Sequence, residues 1–435
     1  MSVAYLIICI VYLTLGIGGS LLLYHRVFSP LGILGGVFGI VSMLLIFPVV
    51  RYVPLNNTTV AVLIIVMLAF FLGTLAAIFP WRMSHKAAMC RWQKNLNIRE
   101  VRVALLFSNL VATLGLALQW YFVIKFFGGA TAFVAQIPLL YVSRLAQALK
   151  IPSWAGYMAS VGFASIYLAG YYIGAKGDNR FLPLWSWAII LAHSLATMGR
   201  ASIIWGGLLF LNGIMLSQIL IGKPTVLSHS MLRQGMRLVV LGVVLFGLML
   251  GIRQIRAGGD NFQATADNIR DYSLLCRSDE SDFLCNAFLS NYVYLTGSVP
   301  ALSQILDRGT GIPENWGINT FGSVFRRLGM TVPRYLEPVN IPFSFNVYTA
   351  VADWYLDFGW MGILIVPFII GFASSFLFEK ALNRNISTSA LAVLSFLLLW
   401  LEFSVFFSLS SQGFFWIALI WLYGWGIWLD RTVRT

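Results

Sequence analysis

Again and again along this chain, a run of roughly 16 to 25 residues passes with almost no charge. The runs lie near 3–24, 31–50, 58–80, 103–126, 154–175, 181–199, 201–221, 238–256, 359–379, 389–409 and 414–429. A helix of that length crosses about 30 Å of hydrocarbon. Lipid offers the backbone no outside hydrogen-bond partner, so each run is expected to be helical. The chain therefore reads as an all-α polytopic membrane protein with about 11 transmembrane helices. Composition closes off the alternatives: 59% of the 435 residues are hydrophobic, 10% are charged, and the mean hydropathy is +0.82. A soluble domain carries about 25% charged residues. That excludes a soluble enzyme, a nucleic-acid module and a disordered chain. The first run has no basic stretch before it and is too long for a cleavable signal, so it reads as a span. No internal repeat relates the two halves, which speaks against a transporter fold.

The net charge of +13 is, in a membrane chain, first a record of orientation. Connections holding Arg26, Arg82 to Arg102, Lys176 and Arg180, Lys223 to Arg237, Lys380 and Arg384, and Arg431 and Arg434 carry sixteen basic residues. The alternate short connections hold five: Arg51, Lys125, Arg144, Lys150 and Arg200. By the positive-inside rule the first set is cytoplasmic, with the N-terminus outside. The long segment Arg253 to Phe345 (253–345) then lies on the outer side and is near neutral, with eight basic residues against nine carboxylates. A segment of that length is usually functional. A second outer segment, 126–153, is amphipathic and is expected along the membrane surface. Most of the polar mass is thus on the exoplasmic face, and the chemistry is expected there.

Four cysteines and four histidines limit what that chemistry can be. Cys276 and Cys285 are the only cysteines in the long outer loop. Without a nearby His they suit a disulfide better than a metal pair. Cys9 falls in a span and Cys90 in a cytoplasmic loop, where inert thiols are expected. No outer loop contains His, so neither a His-ligated metal nor a Ser-His-Asp triad can form there. His193, inside the sixth run, is read as a buried residue satisfied by a neighbouring helix. No metal and no cofactor are expected, and no nucleic-acid partner.

Arginine and carboxylate remain. Arg200 sits in SLATMGRASIIWGG, apolar on both sides, where a guanidinium is costly unless it meets an anion; snorkelling to the headgroups is the plain alternative. Arg144 and Lys150 lie on the surface segment. Arg326, Arg327 and Arg334 form a second basic group in FRRLGMTVPRYLEP. Arginines converging without a metal suit a diphosphate, because the planar fork pairs phosphate oxygens two at a time. A base could come from Glu337, Asp353 or Asp357, or from Glu402 within the tenth run; each could equally be an ion-pair partner of an arginine. Aromatic residues such as Trp316, Tyr335, Tyr348 and Trp354 suit sugar stacking or the interfacial belt.

These features together resemble the O-antigen and oligosaccharide repeat-unit polymerases of the Wzy type. The resemblance rests on the span count, two unequal outer segments, the Gly-Arg turn at Arg200, and the late run FNVYTAVADWYLDFGWMGILIVPFIIGF. In that run Asn346, Thr349, Tyr355, Asp357, Phe358 and Gly359 are similar to the family's segment entering a late span, and NYVYLTGSVPALSQIL is similar to its central-loop run. The resemblance implies a GT-C membrane glycosyltransferase fold in a bacterial inner membrane. It implies that a growing glycan on undecaprenyl diphosphate is transferred to a lipid-linked repeat unit on the periplasmic face. It also implies a chain-length-regulating membrane partner. Carried over by position, Arg200 matches the Gly-Arg arginine and Arg144 the arginine of the first outer segment; Asn346 and Tyr348 fall in the substrate-binding stretch. The related O-antigen ligases depend on a periplasmic histidine that this chain lacks. A flippase or other transporter of lipid-linked oligosaccharide is the competing class, and an O-acyltransferase built on His193 a third.

Overall fold

The computed structural model describes residues 2–84, 98–137, 139–140, 143, 148–197, 199, 201–222, 247, 269–275, 283–309, 316–332 and 337–432. Among them the chain is mostly helical, and the only sheet is a two-stranded hairpin. It is a membrane-embedded all-α protein: among the described residues six helices are long and apolar enough to cross a membrane, and three shorter apolar ones accompany them. The run at 238–256 lies outside the described residues, apart from residue 247. Among the described residues each of the other apolar runs overlaps a helix, although those at 31–50 and 389–409 end outside theirs. The chain divides into two compact units.

The first unit comprises Met1–Trp92, Gln263–Asn383 and Leu397–Phe415. Its first span is α1 (Ser2–Val11), one π-wound stretch (Tyr12–Gly18) and α2 (Gly19–Tyr24). Helix α3 (Pro30–Ile46) starts at Ser29, whose hydroxyl accepts the Gly32 N–H at 3.1 Å. Helix α4 (Asn57–Ser84) is capped by Asn56, whose amide oxygen accepts the Thr59 N–H at 2.6 Å. A long helix, Ala350–Leu382, packs closely on α4. Gly73 of α4 lies on the backbone of Phe368, and Gly371 lies on the backbone of Phe70. In lipid, where apolar burial gives little net gain, such close backbone approach through small residues is the main source of attraction.

The second unit comprises Gln93–Phe262, Arg384–Phe396 and Trp416–Thr435. It holds α5 (Ile98–Phe126), α6 (Ala130–Ala135), α7 (Ser153–Gly174), α8 (Phe181–Thr197) and α9 (Ala201–Ile221). Its core is stitched by a fully buried polar knot. Asn109 Oδ1 accepts the hydroxyls of Ser165 and Ser186 at 2.5 and 2.9 Å, and its Nδ2 donates to the Leu182 carbonyl at 3.2 Å. Every polar atom of Asn109 is thus satisfied, the condition for polar groups to be tolerated at this depth. Where it is described, the segment expected at 126–153 buries Phe133, Leu140 and Leu149 in a cluster with Val123 and Ile203, while Phe126, Leu139 and Lys150 stay exposed. His193 Nδ1 lies 3.1 Å from Gln119 Oε1 of α5, as expected for a histidine met by a neighbouring helix.

The grouping of connections by charge agrees with contacts inside each unit. The connection after α3 pairs with the long loop, through an antiparallel bridge between Val50 and Ser273. Both segments fall on one side once the charge of the short connections sets the orientation and the spans between them are counted. In the second unit, the Asp430 carboxylate reaches the N–H groups of Thr388 and Ser389 at 2.8 and 3.3 Å, joining two connections from the other set.

Candidate functional site

Two of the expected carboxylates, Asp353 and Asp357, and two arginines of the second group, Arg326 and Arg327, are held by neighbouring loop segments of the first unit. The long loop contributes α10 (Phe283–Thr296), α11 (Ser298–Arg308) and α12 (Gly322–Arg327), followed by the hairpin β1 (Val339–Asn340) and β2 (Ser344–Phe345). Helix α13 (Ala350–Leu382) then begins. Gly359 breaks it, with φ 61° and ψ −147°, a conformation that a side chain would disfavour. One short length of α13 therefore sits on the loop side of the kink and carries Asp353 and Asp357. The span expected at 359–379 begins where this break falls.

Asp357 is buried and fully engaged. One carboxylate oxygen accepts the Asn319 N–H and the Asn319 amide, both at 2.9 Å; the other accepts the Thr320 N–H at 2.6 Å. The Trp316 N–H adds a bond to the Asp357 carbonyl at 3.2 Å. Asp353, also buried, accepts the Ser408 N–H at 2.8 Å. That donor belongs to a turn absent from the sequence reading. Helix α14 (Thr388–Phe403) stops six residues before the expected end of the run at 389–409, and α15 (Gly413–Thr432) starts after it. Between them runs SVFFSLSSQ (404–412), whose serines bond the peptide groups around them. Ser410 donates to the Thr320 carbonyl at 2.6 Å, and Ser323 to the Ser410 carbonyl at 3.4 Å. The cluster of Ser404, Ser408, Ser410, Ser411 and Gln412 was the signal that could have marked this turn. It also puts Glu402 at a helix end instead of within a span.

Arg326 and Arg327 complete the arrangement. Both are exposed at the end of α12. Arg326 Nη2 donates to the Ser411 carbonyl at 3.5 Å. Arg327 covers Gly413, where a Cβ would stand 3.0 Å from its Nη2. Two guanidiniums therefore lie over the serine turn, whose peptide groups also bind the two aspartates' end of α13. Among the described residues no group of three or more His, Cys, Asp or Glu could hold a metal.

The remaining expected residues scatter. Glu337 is exposed; its carbonyl, not its carboxylate, accepts the Tyr348 hydroxyl. Tyr348 is buried and also donates to the Phe345 carbonyl at 3.3 Å, so it fastens the hairpin instead of presenting a face to a sugar. Burial pushes its phenol up to about 12. Asn346 is exposed beside it, and Lys150 is exposed in the second unit. Trp354 is buried, whereas Trp316 is 74% exposed. Cys285 is disulfide-bonded; Cys276, Arg144, Arg200, Arg334 and Tyr335 lie outside the described residues.

No protein-family model, curated protein or solved structure matches the chain.

Proposed function

We propose that this protein is a metal-independent glycosyltransferase acting on lipid-linked oligosaccharide, of the Wzy polymerase type. In this reading the chain has eleven spans in a GT-C-like arrangement, sits in a bacterial inner membrane, and works on the periplasmic face. The growing glycan leaves undecaprenyl diphosphate and is joined to the terminal sugar of a second lipid-linked repeat unit. No cofactor is needed, because the donor already carries its leaving group. A chain-length-regulating membrane protein is the expected partner.

The observation that carries the reading is the exposed Arg326–Arg327 pair, held over the serine turn beside the aspartate-bearing end of α13. Guanidiniums offer a departing diphosphate forked donors, and a nearby carboxylate can take the acceptor proton. Asp357 already accepts three N–H bonds, whereas Asp353 accepts one, so Asp353 is assigned as the base and Asp357 as the residue that shapes the loop. On sequence grounds alone, Arg200 is assigned a catalytic role, Arg144, Lys150, Arg334 and Asn346 substrate binding, and Glu337 remains an alternative base.

Two experiments test this. Deleting the gene should remove long surface polysaccharide and leave single capped units; loss of the units from the outer face instead would identify a flippase. In proteoliposomes, the purified protein should convert undecaprenyl-diphosphate-linked repeat units into a ladder of longer glycans. Arg200→Lys should depress the rate by about 10²–10³, the usual cost of losing one donor to a developing anion. Wild-type rates in Arg200→Lys would remove Arg200 from the site and leave the task to Arg326 and Arg327.

A further inference from the structure

Helix α3, one of the three shorter apolar helices, is too short to cross a membrane by itself. Its 17 residues rise about 25 Å, against about 30 Å of hydrocarbon. Ile40, Met43, Leu44 and Phe47 recur along it at helical spacing, and all four are exposed, Phe47 to 71%. This exposed stripe reaches the helix end still apolar, the character of a lipid-facing surface. Beyond the end the chain stays apolar through Pro48, Val49 and Val50, and a charge appears only at Arg51.

The long loop supplies the missing length. The Leu274 N–H donates to the Val49 carbonyl at 2.8 Å, the Arg51 N–H to the Tyr272 carbonyl at 2.9 Å, and Val50 bridges Ser273. The Tyr292 hydroxyl donates to the Leu44 carbonyl at 3.0 Å and accepts the Val49 N–H at 3.3 Å. The Leu44 and Val49 carbonyls and the Val49 and Arg51 N–H groups, at and just past the end of α3, are therefore paired within the protein. Irregular backbone is tolerated at membrane depth only under that condition. Leu274 and Leu275, next to this pairing, are 46% and 66% exposed, and Tyr272 is exposed as well.

We propose that the paired segments 47–51 and 272–275 are seated in the lipid leaflet, where they extend the α3 span and anchor the long loop to the bilayer. The occupant of this apolar surface is the acyl chains of bulk lipid, because the surface continues the lipid-facing stripe of α3 without interruption. Exposed Arg51 marks the level where headgroup phosphates begin.

The test places a genetically encoded, environment-sensitive fluorescent residue at Leu275, which leaves the cysteines untouched. The same residue at exposed Ser344 of β2 serves as the reference. Both proteins are reconstituted into nanodiscs of phosphatidylethanolamine and phosphatidylglycerol and checked for monodispersity. At 275, lipids with a nitroxide on the acyl chain should quench several-fold more than at 344, and aqueous iodide several-fold less. Equal iodide quenching at the two sites would overturn the proposal. So would protection from iodide without acyl-chain quenching, which would mean that a protein surface covers Leu275. If Leu275 disperses poorly when replaced, Phe47 carries the same probe and the same expectations.

Discussion

Asp357 holds Thr320 and Asn319 in place: three N–H groups of the long loop, at 2.6–2.9 Å, end on one buried carboxylate of α13. Asp357→Ala strands those donors, and a buried donor left without an acceptor costs about 1–3 kcal/mol. The expected result is a lower thermal midpoint in detergent and faster tryptic cleavage at Arg326 and Arg327. Asp357→Asn keeps an acceptor oxygen and should fall between. A Asp357→Ala protein as protease-resistant as wild type would mean that this carboxylate does not order the loop.

Arg326 and Arg327 should matter to activity more than to folding, since both are exposed and lie at a turn. Replacing both by Lys preserves charge and loses the fork. Glycan transfer in proteoliposomes should drop at least tenfold while thermal midpoint and expression stay near wild type. Unchanged transfer would take the pair out of the diphosphate site.

Asp430 caps a helix to which it does not belong. Its carboxylate accepts the N–H groups of Thr388 and Ser389 and the Ser389 hydroxyl at 2.8–3.3 Å, at the start of α14. Asp430→Ala should cost about 0.5–2 kcal/mol, the usual loss for an N-cap, with Asp430→Asn close to wild type. Thermal unfolding of the three proteins, followed by circular dichroism, gives the comparison.

Tyr348 should give a measurable alkaline limit to hairpin stability. Burial raises its phenol from 10.0 to about 12, so the protonated form is the one that the fold favours. Its contribution is complete below about pH 10 and is lost as pH rises through about 12. Tyr348→Phe removes the one phenolic donor, which the Glu337 and Phe345 carbonyls share, worth about 1 kcal/mol, and flattens that pH dependence. Midpoints measured from pH 8 to 11 for both proteins would reveal the difference; parallel curves would contradict it.

Cys285 is expected to resist alkylation until the protein is reduced. If its partner is Cys276, as the loop spacing suggests, Cys276→Ser will leave Cys285 open to iodoacetamide without reductant. Peptide mass spectrometry of the alkylated protein reads this directly. A Cys285 that stays blocked in Cys276→Ser would assign the bridge to another cysteine.

The amino-acid sequence determined the long apolar helices. An apolar run of span length has one way to satisfy its peptide groups in lipid, so runs such as 58–80 and 201–221 fixed α4 and α9 without knowledge of their neighbours. Charge in short connections, with the spans between them counted, sorted Arg51 with the long loop, and the Val50–Ser273 bridge joins those two segments. His193 was legible because a polar side chain inside a span must find a partner, and Gln119 is there. The tertiary structure decided what each polar residue of the site does. Asp353, Asp357 and Glu337 are alike in a string of letters, yet one accepts a single N–H, one accepts three and one is exposed. Tyr348 reads as a sugar platform and instead fastens a hairpin. The serine turn at 404–412 looked like the tail of a span, because Val405, Phe406 and Phe407 keep the local average apolar. Its role rests on hydrogen bonds to residues 50 to 90 positions away, as between Ser408 and Asp353 or Ser410 and Thr320. Hydropathy is a sum over neighbours in the chain, and so it reports where a helix can form. Which lone pair meets which N–H depends on neighbours in space, and only the folded chain brings those together.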